Sequence, residues 1–161
     1  MKDTITILEE EHKHILKALK DVENISNQNS INEKDLNTLK KAVNLFIEAN
    51  KHHEREEKVL FPAVEAKGFT CAPEQMRIEH IEIKELKKQL KNAVEAEDIQ
   101  KIKEIASKLV PMLTEHIWKE DNILYPTARE LLKKGGVGKM KKEFDKIGYC
   151  CFHPIKSEKR I

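Results

Sequence analysis

Apolar residues recur along this chain at alternating steps of three and four, the spacing that lines up on one side of an α-helix. From about Asp3 to Ile25 the inward positions are Leu8, His12, Ile15, Leu19 and Val22. The polar run SNQNSIN at 26–32 interrupts the pattern, and a second helical stretch follows from about Glu33 to Lys67. KGFTCAPE then breaks the chain, and Pro73 suits the first turn of a third helix reaching about Ala96. After a tight connection, a fourth helix runs from about Asp98 to Lys134 and stops at KKGGVGK. No segment carries a β period. The pattern predicts an all-α protein: an antiparallel up-down-up-down four-helix bundle over residues 1–134, with a short helix and tail over 135–161. Pro62, Pro111 and Pro126 fall inside helical patterns and are expected to kink them.

The inward stripes are not purely apolar. On the fourth helix Ile102, Ala106, Leu109, Leu113, His116, Glu120, Ile123 and Thr127 form one continuous face, so a histidine and a carboxylate point into the core one turn apart. On the second helix, Leu45, Ala49, His52, Glu56, Val59 and Ala63 form one stripe, and Phe46, His53, Leu60 and Val64 the adjacent one. Periodicity alone does not choose between the pairs His52–Glu56 and His53–Glu57. A repeat does. HHEREEKVLFP at 52–62 and HIWKEDNILYP at 116–126 align so that His52 matches His116, Glu56 matches Glu120 and Glu57 matches Asp121, while His53 falls opposite Ile117.

The first helix places His12 inward and turns His14 away; the third places His80 on a face with Met76, Ile83, Leu86 and Leu90. At about 1.5 Å per residue, His80 lies roughly 24 Å from the end of its helix and His116 roughly 27 Å from the start of the next, so the two share a layer. A single inward histidine is more often a hydrogen-bonded core residue than a ligand. Four of them with two acids in one layer cannot satisfy one another so simply, and a buried ionised carboxylate without a partner costs several kcal/mol. A metal site answers that cost. Six such donors exceed the four that a tetrahedral zinc takes. They suit two metals, each with two histidines, bridged by the two carboxylates, and nitrogen and oxygen donors without thiolate favour iron or manganese without excluding zinc.

Charge sharpens the picture mainly by exclusion. The formal net charge is +2 with both signs interleaved, which argues against a nucleic-acid groove or a polybasic membrane anchor. The start MKDTITILEEEHKH has no signal-peptide form, and no stretch approaches a membrane span. Three cysteines, Cys71, Cys150 and Cys151, are too few and too odd for a secreted disulfide scaffold, so a cytoplasmic location is expected. Cys150, Cys151 and His153 are expected to form a buried or redox-sensitive tail rather than a metal site, and Tyr125 and Trp118 to be core or rim residues. His53 is expected to be a packed or exposed residue, with donation behind the ligands or occasional ligation as the alternative.

EEHKHI, HHEREEKVLFP, RIEHIEIKEL and EHIWKEDNILYP, in that order, resemble the hemerythrin-like family of HHE cation-binding domains across about residues 1–134. The resemblance implies a non-haem, carboxylate-bridged pair of iron ions, also bridged by an oxo or hydroxo group. His12, His52, Glu56, His80, His116 and Glu120 would be the ligands. The oxygen carriers of the family have a fifth histidine one turn before the His80 position, where this chain has Met76. The four-histidine set looks like that of bacterial proteins linked to repair of iron–sulfur centres. The implied partners are a small diatomic ligand or peroxide. Capture or sensing of O2 or NO, reduction of NO or peroxide, donation of iron to damaged clusters, and an interaction module that passes oxidation or ligand state to a protein partner all remain open, with a dedicated enzyme the less favoured reading.

Overall fold

Side-chain caps set the starts of three of the four bundle arms. A computed structural model describes residues 3–150. Helix α1 (Thr4–Ser26) begins where the Asp3 side chain accepts the Thr6 N–H at 2.8 Å. Helix α2 (Glu33–Glu48) opens with a reciprocal capping box between Asn32 and Asp35, and runs on through α3 (Asn50–Arg55) and α4 (Phe61–Glu65). Helix α5 (Cys71–Glu95) follows, and α6 (Ile99–Lys119) starts at Asp98, which caps the Lys101 N–H. The last arm continues through α7 (Tyr125–Ile147), broken at Lys133, where φ is 52° and ψ 177°. Helix α1 packs on α2 and α6, and α5 packs on the same two, giving the expected antiparallel four-helix bundle. Among the described residues no helix is long and apolar enough to cross a membrane.

The two repeated phrases hold a feature that periodicity did not predict. Glu56–Leu60 and Glu120–Leu124 are each a π turn, with the Phe61 N–H reaching Glu56 O and the Tyr125 N–H reaching Glu120 O. Pro62 and Pro126 come immediately after. In a regular α-helix each proline ring would meet the carbonyl four residues back, on Lys58 or Asn122, and a widened turn relieves that clash. Each π turn absorbs one extra residue, so the inward face slips by one beyond it. Beyond the turns Val59, Ala63, Ile123 and Thr127, which would continue the His52–Glu56 and His116–Glu120 stripes, give way to buried Leu60, Val64, Leu124 and Ala128. Of these, Leu60 and Val64 belong to the adjacent stripe read with Phe46 and His53; Ile123 is 45% exposed. Up to Glu56 and Glu120 the stripes stand as read.

Two separate apolar blocks result. One is built from Ile15, Leu19, Phe46, Leu90, Leu109 and their neighbours. The other comprises Ile5, Leu8, Leu60, Phe61, Met76, Leu124 and Tyr125, closed by Val137, Met140 and Phe144 from beyond the Lys133 break. Between the blocks lies a layer of buried polar side chains.

The turn from α5 to α6 carries a specific strain. Glu97 takes φ 53°, the left-handed conformation that a Cβ disfavours, while its N–H and that of Asp98 satisfy the Val94 and Ala93 carbonyls at 3.1 and 3.0 Å. Glu97→Gly is expected to raise stability by about 1 kcal/mol in urea unfolding; a loss of stability would contradict this assignment of the turn.

Candidate metal centre

The polar layer consists of His12, His52, His53, Glu56, His80, His116 and Glu120, all buried. Each comes from an inward stripe at the level of the π turns. Their donor atoms fall into two groups, each with members within 4.8 Å of one another: His12, His52, Glu56 and Glu120, and beside them His53, His80 and His116. All six residues expected as ligands meet in this layer. His53 joins them, where the sequence favoured a packed or exposed residue. Its ring stacks on His80 with centroids 3.9 Å apart. Met76 does leave α5 without a second inward histidine, yet α3 delivers a third imidazole to the same place.

Each of four histidines has its Nδ1 held by a carboxylate from another arm. His12 meets Asp121 at 2.7 Å, His52 meets Glu11 at 3.3 Å, His80 meets Glu57 at 2.9 Å and His116 meets Glu79 at 3.2 Å. An ionised carboxylate only accepts, so the proton sits on Nδ1 and a neutral ring turns the Nε2 lone pair inward. The Nε2 atoms of His80 and His116 face each other at 3.1 Å, which needs a proton or a cation between them. Near the carboxylates, His116 Nε2 lies 3.0 Å from Glu120 and His80 Nε2 lies 3.3 Å from Glu56. These are close approaches without hydrogen-bond directions: both oxygens of Glu120, and Oε2 of Glu56, have no hydrogen-bond partner. Converging lone pairs and unpartnered buried oxygens are what a metal cation satisfies. The donor set fits.

The arrangement has approximate two-fold character. A Glu–His pair on α1 (Glu11, His12) matches one on α5 (Glu79, His80), and each glutamate also binds a cation from the repeated phrase. Arg55 donates to Glu11 at 2.6 Å and Lys119 to Glu79 at 2.6 Å. The second acid of each phrase, Glu57 or Asp121, reaches across to a histidine of the other pair. Sequence reading missed Glu11, Glu79 and Arg55, and left Glu57 and Asp121 without a role, although the acid repeated in both phrases was the signal. It also missed Lys87, buried on the His80 stripe with no hydrogen-bond partner for Nζ. Cys150 is buried and donates to Glu11, while Phe144 and Tyr149 cover Arg55. Cys151 and His153 lie outside the described residues. Trp118 is a rim residue, 58% exposed.

The sequence model of the hemerythrin HHE cation binding domain matches residues 3–128 and, in a second alignment, 71–149. With most of its length matched, the chain belongs to that family of cation-binding domains. No curated protein matches it.

In the polypeptide alone, protons take the place of cations. Burial pushes the His12 imidazole down, but Asp121 and Glu120 outweigh it and raise it to about 10. His116 is likewise raised to about 9, burial being overcome by Glu120 and Glu79. Folded values above the ordinary 6.5 mean stability that is complete below that pH and is lost as pH rises through 9 and 10. Cation-bound imidazoles carry no such proton. The chelated protein should therefore lose melting temperature progressively between pH 7 and 10, whereas the metal-loaded protein should lose far less. Parallel pH profiles for the two forms would contradict this.

Proposed function

We propose that this protein is a non-haem di-iron protein whose reduced centre reacts with O2, peroxide or NO. The observation that carries the reading is the set of inward imidazoles, four with Nδ1 committed to a carboxylate, around carboxylate oxygens that no protein group satisfies. His53, His80 and His116 would hold one metal and His12 and His52 the other, with Glu56 and Glu120 between them. Nitrogen and oxygen donors without thiolate suit iron in both oxidation states. Two reduced irons would supply electrons to a small oxidant, or bind NO.

The rest of the chain serves that chemistry. Glu11, Glu57, Glu79 and Asp121 orient the imidazoles and raise their basicity. The apolar blocks on either side keep bulk water from the layer. A cavity of about 300 Å³ lined by Asn50, His53, Glu54, Glu57, His80, Ile81 and Lys84 opens on the His53–His80 edge. Its charged walls suit small polar molecules, protons and water rather than an organic substrate. Proton access favours completing the reduction of an oxidant over storing O2 reversibly. The larger cavity, about 580 Å³ between α1 and α6, contains none of the proposed ligands.

Two tests follow the two parts of the reading. Anaerobic loading should give about two irons per chain, as a carboxylate-bridged pair requires. Glu56→Ala, Glu120→Ala and His53→Ala should each lower that content, whereas exposed His14→Ala should not; equal losses in all four would refute the ligand assignment. In stopped flow, the reduced protein should oxidise in O2 and stay oxidised after O2 is withdrawn. Recovery of the reduced spectrum on degassing would make it a carrier.

A further inference from the structure

The two halves of the centre differ at two matched positions. The first phrase has His53 where the second has Ile117, and the second has Tyr125 where the first has Phe61. The histidine gives the His80–His116 side its third imidazole. Phe61 lies over that side, its ring 5.8 Å from the His80 ring. Tyr125 has the equivalent place over the other side, stacked on His12 with centroids 5.4 Å apart. Its ring is fully buried, and its hydroxyl is aimed between the donor atoms. The O–H donates to Glu56 Oε1, and the oxygen lies 3.2 Å from His52 Nε2 and 3.4 Å from His12 Nε2. The phenol oxygen thus touches three of the four residues in that group.

We infer that Tyr125 is a protein ligand to the metal held by His12 and His52, supplying from the Phe61-matched position the third donor that His53 supplies to the other metal. This rests on the two-metal reading above and deepens it. Each metal then has three donors of its own besides the shared carboxylates: three imidazoles on one side, two imidazoles and a phenolate on the other. A phenolate oxygen is a hard donor suited to iron(III). As the oxygen–iron bond forms, the O–H bond breaks and its proton leaves to solvent water; no electron moves. Nearby cations reverse the effect of the surrounding carboxylates on such a proton. An exogenous anion taking the position held by the phenolate would displace it, and the phenolate would take a proton back from water. Tyr125 is in this sense the gate of the two-imidazole side.

The chain has only two tyrosines, Tyr125 and Tyr149, and Tyr149 donates to Asp145 away from the centre. The full-length protein loaded with ferrous ion and oxidised in air should show a visible phenolate-to-iron(III) band and tyrosinate modes in resonance Raman spectra. Tyr149→Phe should keep both. Tyr125→Phe should lose both while retaining its iron, since the matching position already holds a phenylalanine in Phe61. That variant should also bind azide roughly tenfold or more tightly, because no protein ligand must first leave. Two irons per wild-type chain without tyrosinate modes would overturn the inference and leave the di-iron reading standing, as would modes removed by Tyr149→Phe. Wild-type protein that takes up no iron would overturn both. The wild-type and Tyr149→Phe spectra decide the question even if Tyr125→Phe fails to fold.

Discussion

Two carboxylates, Glu56 and Glu120, sit fully buried between two apolar blocks, and three of their four oxygens have no hydrogen-bond partner. Most of the layer around them answers this one constraint. Burial pushes Glu56 toward the neutral acid, yet His52 and His80 hold it well below the usual carboxylate range. The layer is therefore arranged for anionic oxygen and depends on positive charge to accept it. In the polypeptide alone that charge comes from protons on imidazoles. In the proposed centre, cations replace them.

The surrounding side chains form a second circle around the same constraint. Glu11 is itself buried. Desolvation raises it, but His52 and Arg55 bring it to about 2, so it stays ionised and keeps its grip on the His52 Nδ1. Arg55, in turn, is fully buried only because Phe144 and Tyr149 cover it and Cys150 packs beside it. The segment beyond Lys133 thus completes the chain of contacts from surface to centre. On the other half, Lys119 binds Glu79 nearer the surface, so the two halves share a plan but differ in depth.

Much of this was legible in the sequence, and the misses have physical causes. The four arms, His12, His80, His116 and Glu120 follow from spacing, because a stripe of period 3.6 leaves few choices for residues near its centre, and the repeated phrase adds His52 and Glu56. The stripes fail beyond Glu56 and Glu120 because a π turn inserts a residue, and only the prolines at 62 and 126 hinted at it. The nearness of His53 to His80 and His116 was not legible because this histidine has no counterpart at Ile117. A repeat identifies what two halves share and is silent on what distinguishes them. Glu11 and Arg55 were missed because strongly charged residues usually mark the solvent face, and their mutual neutralisation is a tertiary fact.

Anomalous diffraction from a crystal of the iron-loaded protein tests the central claim most directly. The account predicts two peaks in the polar layer, both within bonding distance of Glu56 and Glu120. One should lie against His53, His80 and His116, and the other against His12 and His52. A single peak, or iron bound elsewhere with the Glu120 oxygens free of metal, would contradict it.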